Sequence, residues 1–232
     1  MQIIDKGNKT WIIDDGRVRC FVLEGNDYVA LIDSSMVLKN LKDIVKSIVD
    51  KPIILINTHA DRDHIACNEE FEEAYMGVHE IAFYRSKINY DIKVHPLYEK
   101  DVIDLGNRKL EVIDLIGHSL GSIGLYDINN KVLFAGDSIQ SNGRIYLFGE
   151  HRNAETYLSS LDRLNKRKDD FKEIWPSHHD LPIDNSHIEI CKNELEEVLA
   201  GKLSYETVSP RDGLVVREYK GKVNTYILDN ID

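Results

Sequence analysis

Short apolar strands in two groups, with amphipathic helices between them, are the feature of this sequence that most limits its fold. Residues 11–14, 17–23 and 28–33 are rich in β-branched and aromatic side chains and are separated by Asp-Gly and Gly-Asn-Asp turns, which is typical of strands. Between residues 38 and 49 the apolar positions recur at intervals of three and four, which predicts an amphipathic helix.

The rest of the chain continues this alternation. Further strands are predicted at 53–57, 112–116, 123–126, 131–135, 173–175, 214–218 and 225–228, and further helices at 68–75, 154–164 and 188–199. No internal repeat, linker or low-complexity tract interrupts the pattern, so residues 1–232 are predicted as one domain. Two groups of strands with helices between them predict two packed sheets covered by helices.

The composition excludes several classes of function. The 29 Lys and Arg residues against 40 Asp and Glu residues leave a net charge of −11, so the chain lacks the cationic excess that nucleic acids and anionic membranes attract. A hydrophobic content of 42% is ordinary for a globular protein with a core. We therefore expect a small-molecule substrate as the partner, no nucleic acid and no membrane, and a homodimer as the assembly if the chain associates.

The cysteines point to a reducing compartment. Cys20, Cys67 and Cys191 are far apart and form no Cys-x-x-Cys pair, which argues against a zinc ribbon or a thioredoxin-type site. Free thiols are the simpler interpretation. Because the N-terminus has no basic start followed by an apolar run, and the longest apolar runs are strand-sized, the expected location is the cytoplasm.

The segment 57–64, Asn-Thr-His-Ala-Asp-Arg-Asp-His, carries the strongest chemical signal. It brings His59, Asp61, Asp63 and His64 together directly after a buried strand, where sites are commonly built. Imidazole and carboxylate at this density suit a first-row transition metal. The alternative is a solvated turn that caps the next helix.

Three later segments repeat this placement. His118 follows the predicted strand 112–116, Asp137 follows 131–135, and the adjacent His178 and His179 follow 173–175. A single His or Asp in a turn is commonly only a hydrogen-bonded loop residue. Four strand ends in order, each delivering His or Asp, are difficult to attribute to chance and predict one shared site.

In this order the motifs resemble those of the metallo-β-lactamase-fold hydrolase superfamily. That family's pattern is His-x-His-x-Asp-His, then a Gly-His-(Ser/Thr)-x-Gly turn, then an Asp and finally a late His, and the resemblance extends beyond His179. It implies an α/β (α+β) fold, a four-layer αββα sandwich, with a site for two divalent metal ions at one edge of the sheets. Zinc is the first expectation, with iron or manganese as alternatives.

The resemblance also implies a role for each position. Metal site one would take His59, Asp61 and His118, metal site two would take Asp63, His64 and His178, and Asp137 would bridge the two ions. Asp63 would also be the catalytic group that orients the attacking hydroxide and passes a proton to the leaving group. His179 competes with His178 as the late ligand, and Ser177, in the place of the family's small residue, favours His178.

Position 61 departs from the family pattern, because Asp61 stands where the family has a second His. Three carboxylates and one bridging hydroxide cancel the charge of two divalent ions, whereas a His at position 61 would leave one positive charge. We expect the neutral core to be a weaker Lewis acid, to attract anionic substrates less, and to shift the preference from zinc towards iron or manganese.

Residues 141–151 follow Asp137 closely enough to line a pocket. Arg144, Tyr146 and His151 are therefore candidate substrate-binding residues, with His179 from the late His pair as a fourth. The alternatives are that Tyr146 is a strand or core aromatic residue and that Arg144 is solvated.

The predicted function is metal-dependent hydrolysis of an ester, thioester, lactone or phosphoester bond in a small cytoplasmic substrate. No Gly-x-Ser-x-Gly elbow offers a protein nucleophile. Glyoxalase-II-like thioesterases are disfavoured, because they carry an extra helical domain and only about fifty residues follow His179. Two alternatives are kept: a stand-alone dinuclear iron redox protein resembling the flavodiiron branch, and a non-catalytic metal-binding sensor.

Overall fold

The computed structural model describes residues 1–229, so residues 230–232 of the predicted domain lie outside the described part of the chain. The strands within 1–229 are β1 (Gln2–Asp5), β2 (Thr10–Asp14), β3 (Arg19–Glu24), β4 (Val29–Ile32), β5 (Ile53–Asn57), β6 (Glu73–Gly77), β7 (Lys93–Leu97), β8 (Val102–Asp104), β9 (Lys109–Asp114), β10 (Ile123–Asp127), β11 (Val132–Gly136), β12 (Arg144–Leu147), β13 (Glu173–Pro176), β14 (Tyr205–Arg211), β15 (Leu214–Lys220) and β16 (Thr225–Asp229). The α-helices are α1 (Leu41–Ile48), α2 (Arg62–Ile65), α3 (Ile81–Lys87), α4 (Ala154–Asn165) and α5 (Ser186–Leu199). Short 3-10 turns cover Asn68–Glu70, Val78–Glu80 and Lys168–Asp170.

Two large sheets carry most of the strands that the sequence predicted. Strands β1 to β7 form a seven-stranded sheet in chain order, and the other large sheet has the order β13-β11-β10-β9-β8. In this second sheet β11 pairs parallel with β13, and β10 pairs antiparallel with both β9 and β11. Strands β9, β11 and β13 therefore run in the same direction, and the residues that follow them emerge at one edge.

The tail forms a third sheet that the sequence analysis did not anticipate. Its order is β12-β16-β15-β14, and β12 pairs parallel with β16, with Ile145 opposite Tyr226. The sequence pattern identified β15 and β16 but missed β12 and β14. β12 and β16 are distant along the chain and pair only through tertiary contacts, which local periodicity does not report. β14 pairs with its neighbour β15 across the Asp212-Gly213 turn, a local hairpin signal that the sequence analysis did not use.

Side-chain alternation along the strands divides the core into layers. In β3, Cys20 and Val22 pack with residues of α1 and α3, whereas Phe21 and Leu23 face the five-stranded sheet. The ring of Phe21 lies 5.0 Å from that of Phe134 in β11, measured between centroids. Helices α4 and α5 cover the opposite face of the five-stranded sheet. The order helix, sheet, sheet, helix confirms the predicted αββα sandwich.

The helix predicted at 68–75 is wrong. The structure has a 3-10 turn at Asn68–Glu70 followed by strand β6. In β6, Ala74 and Met76 point to the layer under α1 and α3, and Tyr75 points between the sheets, so the local period is two. Parallel pairing of β6 with both β5 and β7 overrides the helical propensity of this acidic segment.

Helix α5 matches its prediction more closely. It ends at Leu199, and Gly201 follows with a φ of 66°, the left-handed conformation that glycine adopts at the end of a helix. Within residues 1–229, no helix has both the length and the apolar character needed to cross a bilayer.

Candidate metal centre

The four segments predicted to carry metal ligands converge at one edge of the two large sheets. The potential ligand atoms form three overlapping groups, with all atoms of a group within 4.8 Å of one another: His59, Asp61 and His118; His59, His64 and Asp137; and Asp63, His64 and His178. We refer to the first group as the Asp61 trio and to the third as the Asp63 trio. All seven predicted ligands thus belong to one cluster.

The Asp61 trio is the more buried part of the cluster. Oδ2 of Asp61 lies 3.7 Å from Nε2 of His59 and 3.6 Å from Nε2 of His118. Both imidazole side chains are only 1% exposed. His59 comes from the turn after β5 and His118 from the loop after β9, so this trio joins the two large sheets.

The Asp63 trio opens towards solvent, and Asp137 lies between the two trios. Oδ2 of Asp63 lies 3.2 Å from Nε2 of His178 and 3.7 Å from Nε2 of His64. Oδ1 of Asp137 lies 3.3 Å from the same two nitrogens. The other oxygen, Oδ2, lies 3.8 Å from Nε2 of His118. One carboxylate therefore faces both trios, as the bridging role requires.

The Nδ1 atoms of His118 and His178 are held by backbone carbonyl groups. Nδ1 of His118 donates to the Tyr146 carbonyl oxygen at 3.1 Å, and Nδ1 of His178 donates to the Arg17 carbonyl oxygen at 2.7 Å. These contacts orient Nε2 of both rings into the cluster, which is the usual arrangement around a ligating His.

The donor set fits a divalent metal. Among residues 1–229, buried polar atoms without a hydrogen-bond partner include Nε2 of His59, His64 and His118, and Oδ1 of Asp137. Buried polar atoms are almost always paired, so four unpaired atoms within one cluster point to a bound ion. Imidazole nitrogens and carboxylate oxygens are suitable ligands for zinc, iron or manganese.

The electrostatics of the cluster also call for positive charge. Burial disfavours the anion of Asp137, yet His178 and His64 outweigh this and hold the pKa of Asp137 well below 3.8. Burial alone would lower the pKa of His64, but the carboxylates of Asp33 and Asp137 raise it well above 6.5. The central carboxylates therefore remain ionised and attract cations.

Asp33 binds the ring nitrogen of His64 that faces away from the cluster, and the sequence analysis did not single it out. Its Oδ2 accepts a hydrogen bond from Nδ1 of His64 at 2.7 Å, and its two oxygens accept from the amide and hydroxyl of Thr58 at 2.8 and 2.9 Å. Nδ1 of His59 in turn lies 3.1 Å from the Thr58 hydroxyl. Asp33 ends the predicted strand 28–33, so the rule that found the other strand-end ligands could have found it too.

Glu80 connects two of the ligand-bearing loops. It is fully buried and accepts hydrogen bonds from the amides of Ala60 and Gly121 and from the Ser119 hydroxyl, at 2.7 to 2.9 Å. A Cβ on Gly121 would lie 2.1 Å from the Glu80 nitrogen, so only glycine permits this approach. No sequence motif marks Glu80, which joins the 57–64 segment to the Gly117–Gly121 turn only through space.

Asp61 has a cationic neighbour that the sequence did not reveal. Nη2 of Arg152 lies 2.5 Å from Oδ2 of Asp61, and the Arg152 side chain is only 10% exposed. The predicted substrate residue His151 lies beside them, with Nε2 3.9 Å from Oδ1 of Asp61 and its ring stacked on Phe83. Burial and the neighbouring Arg152 lower the pKa of His151 to about 4.

A pocket of about 270 Å³ opens over the cluster. Its wall is formed by Asp61, Asp63, Asp137, Gln140, Arg144, Tyr146, His178 and His179. Three of the four predicted substrate residues therefore line it, and His151 lies behind Asp61 instead. Tyr146 is a strand residue of β12 that is 38% exposed, and Arg144 is largely solvated while pairing with Glu218 at 3.4 Å.

A second, larger groove borders the cluster at Asp61. It has a volume of about 540 Å³ and lies between residues 60–66 and 87–90. Apolar Ile65 and Ile88 contribute to its wall together with the exposed cations Arg62 and Lys87. Within residues 1–229 neither cation forms an ion pair, and Nζ of Lys87 lies 4.4 Å from the centre of the Phe83 ring.

Comparison with known proteins assigns the family. Residues 13–178, well over half of the chain, match the family model described as the metallo-beta-lactamase superfamily. The chain belongs to the metallo-beta-lactamase superfamily. The family prediction and the predicted enzyme class, a metallo-hydrolase of this superfamily, are thereby confirmed.

Curated superfamily members that resemble the chain are named as hydrolases. The acyl-coenzyme A thioesterase MBLAC2 of Gallus gallus is 26% identical over 71% of this chain and 73% of its own length. The hydroxyacylglutathione hydrolase of Gloeobacter violaceus is 25% identical over 86% of this chain and 78% of its own length.

Solved structures of the superfamily share the fold. A metallo-beta-lactamase from Pontibacter korlensis has a TM-score of 0.71 at 18% identity and covers 84% of this chain and 98% of its own. The family protein TTHA1429 from Thermus thermophilus has a TM-score of 0.66 at 18% identity, covering 84% of this chain and 82% of its own.

Proposed function

We propose that this protein is a dinuclear metal-dependent hydrolase that cleaves acyl thioesters of a small thiol carrier. The observation that carries the proposal is the set of orphaned Nε2 atoms and the Asp137 oxygen at the centre of the cluster. The named relatives support the substrate class, since one is an acyl-coenzyme A thioesterase and another hydrolyses hydroxyacylglutathione. They favour the thioester among the bonds that the sequence analysis allowed, and they support the glyoxalase-II-like branch that it disfavoured.

Two divalent ions are assigned to the two trios. The Asp61 trio would hold one ion, the Asp63 trio the other, and Asp137 would contact both, because one of its oxygens faces each trio. Zinc is the first candidate, with iron or manganese as alternatives. Ions bound in such a site polarise a carbonyl oxygen and lower the pKa of water towards neutrality.

Asp63 is the proposed proton carrier. Its side chain is 27% exposed and lines the pocket, while Oδ2 lies 3.2 Å from Nε2 of His178. Desolvation by burial raises its pKa, but the hydrogen bond from His178 and the charge of His64 hold it below 3.8. Asp63 is therefore an anion that can orient a water molecule and accept its proton.

The thioester reaction needs little further assistance from the protein. Water adds to the acyl carbon, the carbon–sulfur bond breaks, and the sulfur leaves as a thiolate that takes the proton from Asp63. Tyr146, on the pocket wall, can donate its hydroxyl hydrogen to the substrate carbonyl oxygen. No protein nucleophile enters this scheme.

The groove at Asp61 is the proposed location of the thiol carrier. It is about twice the volume of the pocket over the cluster and shares Asp61 with it, so a substrate can extend from one into the other. The exposed cations Arg62 and Lys87 suit an anionic carrier, and Ile65 and Ile88 suit its apolar portions. The three buried free cysteines are consistent with the predicted cytoplasmic location.

The test combines metal analysis with a matched substrate panel. The protein is purified without added metal, its metal content is measured, and one acyl group is offered as a coenzyme A thioester, a glutathione thioester, an oxygen ester and an amide, beside a lactone and a phosphodiester. The proposal expects about two divalent ions per chain and kcat/KM at least about tenfold higher for the thioesters. Preference for a phosphodiester or lactone, or two irons with a visible band that bleaches on reduction, would overturn it.

A further inference from the structure

The charge balance of the cluster differs from the one that the sequence alone suggested. Asp61, Asp63 and Asp137 bring three negative charges to the ligand set, whereas a His at position 61 would leave two. From the sequence, this extra charge predicts a neutral core and a preference for harder ions. The structure adds Arg152, whose guanidinium contacts Asp61 and returns the sum of protein charges to minus two.

We propose that Arg152 is a positioning residue that, paired with Asp61, replaces the neutral imidazole normally found at this position and so keeps a zinc-type site. This proposal rests on the metal site of the proposed function. If so, the metal preference and the attraction for anionic substrates stay close to those of a site with His at position 61, although this chain has Asp61 there.

The geometry places the cation on the oxygen that faces the metal position. Nη2 of Arg152 contacts Oδ2 of Asp61, the oxygen that also faces Nε2 of His59 and His118. The outer oxygen, Oδ1, faces His151 instead. A guanidinium on the ligand oxygen withdraws electron density from it, so the carboxylate donates to a metal as a weaker, more neutral ligand.

Burial strengthens this pairing. The side chains of Arg152 and Asp61 are 10% and 24% exposed, so solvent and salt screen the pair only partly. Within residues 1–229, Asp61 is the only carboxylate in ion-pair contact with Arg152. Nε of Arg152 is buried without a partner, and the guanidinium lies 5.6 Å from the centre of the Phe148 ring. This buried cation therefore depends on Asp61 for its counter-charge.

The backbone holds Arg152 in position before any ligand binds. Its amide donates to the Gly149 carbonyl oxygen at 3.1 Å, and the amide of Asn153 donates to the Gly117 carbonyl oxygen at 2.9 Å. The second bond fastens the start of α4 to the loop that carries His118. A Cβ on Gly117, whose φ is 138°, would lie 2.2 Å from Cβ of Tyr157, so this close contact requires glycine.

The test is a charge-swap cycle read by metal affinity, without any assay of activity. Zinc and manganese affinities of the full-length protein are measured by competition with a chromophoric chelator for wild type, Arg152→Met, Asp61→His and the double variant.

Arg152→Met leaves one extra negative charge and is expected to bind zinc roughly tenfold tighter and to shift selectivity towards manganese. Asp61→His leaves an unpaired buried cation and is expected to bind roughly tenfold more weakly. The double variant should return to within about twofold of wild type.

Two control variants separate charge from structure. Arg152→Lys keeps the charge and should stay within about threefold of wild type. Arg62→Met removes an exposed cation, one residue from Asp61, and should change zinc affinity by less than about twofold. Circular dichroism confirms that each variant is folded, and Arg152→Gln substitutes for the Met variant if that one is not.

The outcomes distinguish this proposal from the function on which it rests. A wild-type chain that takes up no divalent ion overturns both. If wild type binds two ions but Arg152→Met binds zinc no tighter, only the role of Arg152 is overturned. The same holds if the effects of the two single variants fail to cancel in the double variant. An Arg62→Met effect as large as that of Arg152→Met also overturns it, since long-range charge would then be the cause.

Discussion

The Asp61 trio and the Asp63 trio have the same number of imidazoles and carboxylates, yet the protein holds them in different ways. In the Asp61 trio both imidazoles are buried and the carboxylate is paired with Arg152. In the Asp63 trio, Asp63 and His178 are partly exposed to the pocket, and Asp63 has no cationic side chain other than imidazole beside it within residues 1–229.

This difference shows how one cluster can divide structural and chemical tasks. A carboxylate that is paired with a guanidinium and lies between two buried imidazoles is suited to hold an ion permanently, because its charge is already balanced. A carboxylate on the pocket wall that has no guanidinium beside it is better suited to accept a proton from water and pass it on. We therefore assign metal retention mainly to the Asp61 trio and proton transfer to the Asp63 trio.

The largest expected effect comes from removing one imidazole of each trio. His118→Ala and His178→Ala should each lower the metal content from about two ions to about one, and thioesterase kcat/KM by at least about a thousandfold, because the reaction needs both ions. Metal analysis and steady-state kinetics measure this. The matched control is His95→Ala, an imidazole in β7 that pairs with Glu73 away from the cluster. If His118→Ala retained full metal content, the ligand assignment would be wrong.

Weaker effects are expected from the two buried carboxylates that support the trios. Asp33→Asn replaces the anion behind His64, and Glu80→Gln replaces the anion that joins the Ala60 and Ser119 loops. Each should weaken zinc binding by about 10–100-fold, with Asp33→Asn acting on the ion of the Asp63 trio and Glu80→Gln on that of the Asp61 trio. Stepwise chelator titration resolves the two ions. Loss of the same ion in both variants would contradict the division between the trios.

The groove beside the Asp61 trio provides a third test. Arg62→Glu combined with Lys87→Glu should raise KM for a coenzyme A thioester by about tenfold, because two cations that would attract its phosphates become anions. KM for the same acyl group on an uncharged thiol should change by less than about twofold. Steady-state kinetics with the two substrates decide it: equal changes in both would place the carrier elsewhere.

The smallest effect concerns the turn that orients His178. Burial raises the pKa of Asp15, but hydrogen bonds from the Ser35 hydroxyl and the amides of Val18, Met36 and Arg17 outweigh it, so the pKa lies below 3.8. A depressed carboxylate pKa stabilises the fold above the unfolded-state value, and this stabilisation is lost as the pH falls through the folded-state pKa.

Asp15→Asn should therefore destabilise the metal-free protein by about 1 kcal/mol at pH 7. The difference from wild type should shrink as the pH falls below about 4. Urea unfolding at several pH values measures both quantities. A destabilisation that is constant down to pH 3 would show that the ionised form of Asp15 makes no contribution.

The sequence predicted the strand-end ligands for a physical reason. Strands of one direction deliver the residues that follow them to one sheet edge, so His118, Asp137 and His178 could be expected to meet, and His59 joins them from the other sheet. The periodicity of α4 and α5 likewise identified both helices. In contrast, β6 was predicted as a helix, since its pairing with β5 and β7 leaves no local trace in an acidic segment.

Arg152 and Glu80 show where sequence reasoning ends. Arg152 is 91 positions from Asp61, and no spacing rule connects them. Glu80 joins two loops from outside any motif. Both act through buried contacts between segments that are distant along the chain, so only the folded structure brings them to the cluster.

The sequence by itself determined the αββα class, the family and the residue types at the site, because strand periodicity and the spacing of His and Asp are local properties. The tertiary structure decided the charge at position 61. The effect of a carboxylate depends on which cation lies within a few ångströms of it, and electrostatic energy depends on distance in space and on burial, neither of which a linear sequence contains.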